Sequence, residues 1–140
     1  MAFMRGVGAW QLALACLLVA PAADAHAYGH LLAAAAIFLS TPSFEILGGP
    51  KEPAVVWIAI LKMIGVFARK GKVPPVVAAV LFLVNGLHAY LAPKAAADMY
   101  KVAIPVSPLG YSLYSLQGQQ MILGGLYVAL LIAGQSATSA

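Results

Sequence analysis

Three histidines, one lysine and a few amides are the side chains here whose type and spacing could do chemistry, because most of what surrounds them is hydrocarbon. His26 and His30 stand four residues apart, so on a helix both imidazoles project from one face, where they could share a metal ion or meet a haem edge. Two ligands make half a site. His88 is the one remaining histidine, and no HExxH, CxxC or paired-carboxylate motif supplies further ligands. No metal site is expected. His26, His30 and His88 stand as candidate contacts to a cofactor of unknown kind; the plainer alternative is that they are interfacial residues meeting water or a neighbouring subunit.

Lys62 falls inside an apolar run, about seven residues or roughly 10 Å from Arg69 at the nearest basic boundary. Its ammonium can snorkel to a headgroup region, or it can point inward and meet Asn85, with His88 one turn further along the same helix face. Gln117 and Gln120 also share a face, as amides that tie helices together do. Gly124 and Gly125, like Gly86 and the alanines at 33–36, permit close backbone approach. No carboxylate lies in the body of an apolar run, Glu45 standing at the end of the first, which disfavours a proton or ion path, and no catalytic constellation is legible. The expectation is a protein that is not an enzyme.

The elements that must position these residues follow from composition. Of 140 residues, 63% are hydrophobic and 9% charged, against about 25% charged in soluble chains. A soluble domain of this size buries only about two-thirds of the surface of its unfolded chain, so apolar runs this long call for lipid. The formal charge of +4 resides mostly between the runs, an arrangement suited to anionic headgroups, and nucleic acid is not an expected partner. Cys16 is the lone cysteine, which rules out an intrachain disulfide.

Four apolar runs, at about 28–47, 53–68, 74–91 and 109–133, read as spans. Pro42, Pro50, Pro53, Pro74, Pro75, Pro93, Pro105 and Pro108 are expected at helix ends, where a missing N–H costs least. Trp10, Trp57, Tyr90, Tyr100, Tyr111 and Tyr114 are expected as an interfacial aromatic belt. Residues 1–25 resemble a secretory leader: Arg5, an apolar stretch, then small residues at Ala23 and Ala25 before His26. Residues 8–20 give only about 20 Å of helix, too short to cross alone, so they are expected to extend helix 1, with Pro21 as a kink or break. Cleavage before His26 would place the Arg69 connector on the side that the positive-inside rule disfavours, so the leader is expected to stay uncleaved. Arg69, Lys70 and Lys72 form the one strongly basic connector, and the positive-inside rule then places both termini on its side.

The fold expected is all-α: an integral membrane four-helix bundle with a long N-terminal helix or leader extension. Its parts are the leader at 1–25, the four-span domain at 26–134 and a polar tail at 135–140. The span layout over residues 28–134 resembles small four-helix DoxX-like membrane proteins, in which a long first span precedes a short helical pair and a glycine-containing last span, here Gln117-Gly118-Gln119-Gln120-Met121-Ile122-Leu123-Gly124-Gly125. The resemblance carries no functional residue across. Small chains of this makeup also occur as accessory subunits of organellar respiratory and photosynthetic complexes. The function expected is therefore a non-catalytic accessory subunit in an inner or thylakoid membrane, partnered by other subunits and lipids; its cofactor is unknown, structural lipids or pigments being the kinds such a chain could hold. The alternative is a small stand-alone transporter, channel or quinone-related protein.

Overall fold

The computed structural model describes residues 2–99, 101 and 106–139. Six α-helices follow one another: α1 Ala2–Val19, α2 Ala25–Ile46, α3 Glu52–Arg69, α4 Val76–Leu91, the short α5 Pro93–Met99, and α6 Pro108–Ser139. No strand occurs among the described residues. α2, α3, α4 and α6 correspond closely to the four apolar runs, and proline marks most of the helix starts from α3 onward. Pro53 lies in the first turn of α3, Pro75 precedes α4, and Pro93 and Pro108 open α5 and α6. Pro42 departs from that pattern and lies inside α2. The hydroxyls of Ser40 and Thr41 donate to the carbonyls of Ala36 and Ile37, at 2.7 and 2.9 Å, in the turn leading to it. Pro105 and Tyr100 lie outside the described residues.

The N-terminal segment differs from the expected extension of helix 1. Pro21 has no N–H to continue a helix, and the chain passes through a single 3₁₀ turn at Ala22–Asp24 before α2 begins. There it reverses: Leu17 approaches Gly29, while Arg5 and Glu45 border one groove, so α1 lies antiparallel on α2. The physical reason is length. Helix starts at Ala2 rather than at residue 8, which makes α1 about 27 Å long, and Arg5 is accommodated as an exposed residue of its second turn. Phe3, Val7, Trp10, Ala13 and Leu17 are all buried, so α1 is a full member of the bundle.

α2 packs between α1 and α3, and α6 between α1 and α4. The α4–α6 pair is antiparallel, with Ser115 donating to the Tyr90 carbonyl at 3.0 Å and Gly86 crossing Gly118. Arg69, at the end of α3, lies 5.3 Å over the ring of Tyr28 near the start of α2. The turn that follows uses Gly71 at φ +69°, where its N–H and that of Lys72 close on the carbonyls of Ala68 and Phe67. One end of the bundle therefore carries Arg69, Lys70, Lys72 and the close of α6, and the other carries the start of α1. Because α1 packs as one more antiparallel helix before α2, it opens at the end of the bundle away from Arg69, whereas the expectation places both termini on the Arg69 side of a membrane. At the α1-start end, α5 turns away from α4 by 112°. Its Lys94 donates to Asp98 at 2.8 Å, and that hydrogen bond together with the carboxylate charge holds the Lys94 ammonium above its ordinary pKa.

Among the described residues, one helix segment, Pro108–Gln135, is long and apolar enough to cross a membrane by itself, and α4 with α5 forms a second only if the bent pair counts as one span. α3 has 18 residues but includes Glu52, Lys62 and Arg69. The expected polar tail at 135–139 continues α6, and Ala140 lies outside the described residues.

Gly124 and Gly125 of α6 face inward in the bundle. A Cβ at Gly125 would come within 2.8 Å of Leu83 on α4, whereas one at Gly124 would meet Leu17 of α1 at an ordinary 3.6 Å. We expect Gly124→Ala to be neutral or mildly stabilising, by up to about 1 kcal/mol from helix propensity. Denaturant titration of helix content in detergent micelles will read this; a loss of more than that amount would show that Gly124 is under steric constraint.

Candidate functional site

All five long helices contribute to one interior cavity of about 110 Å³. α2 supplies His30, Ala33, Ser40 and Thr41; α3 supplies Ala54, Trp57 and Leu61; and α4 supplies Leu81, Phe82 and Asn85. Trp10 of α1 and Tyr114, Gln117 and Met121 of α6 also line it, as do Glu45 and Lys51. The cavity exists because α3 and α4, though consecutive, are not packed against one another. The turn at 70–75 joins them at one end, and each then leans on a different partner.

His30 is the most confined polar group, 1% exposed, and neither ring nitrogen has a hydrogen-bond partner among the described residues. Such a group costs on the order of 1–3 kcal/mol relative to a satisfied one. Its ring lies nearly parallel to Phe82, at 18° with centroids 6.5 Å apart, and Trp10 meets Phe82 edge-on at 88°. Gln117, also buried, donates from Nε2 to the Phe3 carbonyl at 3.3 Å and so links α6 to α1. A Cβ at Gly6 would run into that amide, which accounts for the glycine at the crossing. The Glu45–Lys51 ion pair is partly exposed, a type worth about 0–1 kcal/mol.

The remaining candidates scatter. His26 is half-buried one turn before His30, and His88 is exposed on α4; neither lines the cavity. No group of three or more His, Cys, Asp or Glu residues able to hold a metal occurs among the described residues. Gln120 shares a face with Gln117 but borders a separate recess of about 20 Å³ beside Gly124, and its Oε1 has no partner. Lys62 is exposed on α3, whereas Asn85 donates from Nδ2 to the Leu81 carbonyl of its own helix at 2.8 Å. Of the two alternatives for Lys62, the inward pairing with Asn85 is therefore not formed.

One prediction follows from that separation. Lys62→Met should change stability by less than about 0.5 kcal/mol, and its effect should add to that of Asn85→Leu within the same margin. A double-mutant cycle on unfolding in micelles measures this. A coupling above about 1 kcal/mol would restore the pairing.

Trp10, Phe82 and Tyr114 are the lining residues that sequence reasoning missed as site residues. Trp10 and Tyr114 were expected in the aromatic belt, yet both are buried in the interior. The available signal was their position: Trp10 lies in the middle of α1, one turn from Ala13 on the same face. Comparison with protein-family models, curated proteins and solved structures finds no match to the chain.

Proposed function

We propose that this chain is a multi-pass integral membrane protein of five long helices that alternate in direction along the chain, acting as a non-catalytic accessory subunit of a membrane assembly. The observation that carries the reading is that large hydrophobic side chains crowd the outside of the long helices while small residues fill much of the inside. Leu12, Phe38, Val56, Val84, Leu123 and Leu130 are among many large hydrophobic side chains left exposed along the long helices. The interior is instead largely alanine and glycine, together with buried His30, Ser40, Ser43, Gln117 and Gln120. A soluble fold with such a surface would present far more than the few hundred Å² of apolar patch that monomers tolerate. In lipid the same surface is in its proper solvent, and small interior residues serve close helix packing.

Helix lengths support the reading. α1 and α3 measure about 27 Å, α4 about 24 Å and α2 about 33 Å, against a hydrocarbon core of about 30 Å, and small mismatches are taken up by local thinning or tilt. α6, at about 48 Å, projects beyond it. Lys62 is then a snorkelling residue on the outer face of α3. The accessory role rests on surface without evident catalytic equipment; the organellar respiratory or photosynthetic setting rests on composition alone.

The test is extraction and company. After alkaline washing, the protein should stay with the membrane, and after mild detergent it should migrate on a native gel with other membrane proteins. Release by alkali would contradict membrane integration, and migration as a bare monomer would contradict the subunit role.

A further inference from the structure

We propose that the interior cavity binds one lipid-soluble phenol, a single hydroxyl-bearing aromatic ring with an apolar tail. The inference deepens the membrane reading and rests on it for the ligand's route of entry. Size comes first. About 110 Å³ approaches the roughly 150 Å³ at which an apolar protein cavity takes up benzene, so one ring is the scale and a macrocyclic pigment or haem is not.

Chemistry then selects the polar group. A neutral imidazole has one N–H donor and one bare nitrogen acceptor, and both positions of His30 lack partners. A hydroxyl answers either one, because it donates and accepts; a carbonyl answers only the N–H. The rest of the wall favours a ring over a linear alcohol, since Trp10, Trp57, Phe82 and Tyr114 all border the cavity. Asn85 and Gln117 each use one amide hydrogen within the protein and keep further polar capacity beside it. The route is lateral. Trp57 and Leu61 face Leu81 and Asn85 across the gap between α3 and α4, two helices that do not pack together, so a tail can lie between them in the acyl-chain region.

The chain contains two tryptophans, and both border the cavity, so it carries its own reporter. The full chain in phosphatidylcholine vesicles is titrated with a ring-brominated alkylphenol, and separately with the ring-brominated alkylbenzene of the same tail, bromine quenching indole emission at contact. The phenol should quench saturably at concentrations at least tenfold below those needed for the alkylbenzene. His30→Phe should abolish that preference, and His30→Gln, which keeps a donor and an acceptor, should retain part of it. Equal quenching by both compounds in wild type, or an undiminished preference in His30→Phe, overturns the proposal. Should His30→Phe fail to insert, Ala54→Leu decides: it fills the cavity from α3 with the imidazole intact, and saturable quenching that survives it overturns the proposal. Alkaline washing of the same vesicles separates the two readings. Protein released by alkali contradicts membrane integration; protein retained but indifferent to the hydroxyl contradicts the ligand alone.

Discussion

Gly118→Leu should separate α4 from α6 and cost about 3 kcal/mol or more, at the upper end of what overpacking does. A Cβ at Gly118 would lie 2.6 Å from both the Gly86 carbonyl oxygen and the Tyr90 nitrogen. These are backbone atoms and cannot rotate aside. The reciprocal position is equally closed, since a Cβ at Gly86 would stand 2.8 Å from the Gly118 oxygen and the Ile122 nitrogen. Lipid offers little hydrophobic drive between helices, so the contact depends on approach distance, and a branched side chain removes it. Helix content should persist while resistance to denaturing detergent is lost. A Gly118→Leu protein as resistant as wild type would mean that α4 and α6 do not cross at these glycines.

Deleting residues 2–20 should have the second large effect. Without α1 the bundle loses Trp10 from against Phe82 and the Phe3 carbonyl from against Gln117. It also uncovers the alanine face of α2 at 33, 34 and 36. The Gln117 amide then keeps a buried donor without its acceptor, a loss of about 1–3 kcal/mol before any packing is counted. We expect the yield of folded, detergent-resistant protein to fall about tenfold or more, which corresponds to about 1.4 kcal/mol. Intact mass should agree, with the 14.5 kDa chain persisting in the membrane rather than a species beginning at His26. A truncated chain as stable as the full one would show that the leader-like segment is dispensable.

Where helices lie was largely legible, because apolar runs broken by proline and glycine leave few alternatives. α3, α4 and α6 begin at Pro53, Pro75 and Pro108 or within a residue of them, since proline favours a first turn and excludes an interior. α1 was misjudged for a local reason: an arginine at position 5 looks like a boundary, yet an exposed residue near a helix start holds charge without ending the helix. Pro42 was misjudged because a proline's cost depends on whether neighbours re-satisfy the freed carbonyls, which spacing does not encode.

The site was less legible. His30 stood out from the beginning, but the reason it matters is that it shares a cavity with Trp10, Phe82 and Gln117 from three other helices. Those contacts span up to about ninety positions of sequence, and a stripe of alanines says that something packs closely without saying what. The inward alternative for Lys62 failed on the same ground. Matching depth on two spans does not make them face each other, and α3 and α4 lean apart.

The central claim, a five-crossing bundle that includes α1, is tested most directly by sidedness. Arg5→Cys and Lys72→Cys are introduced singly in a Cys16→Ser background, because the native cysteine is exposed on α1. An impermeant thiol reagent is then applied to sealed vesicles from one side and, after inversion, from the other. Both engineered sites are exposed on the folded chain, at opposite ends of the bundle. The account predicts that Arg5→Cys and Lys72→Cys label from opposite faces, and labelling of both from the same face would contradict it.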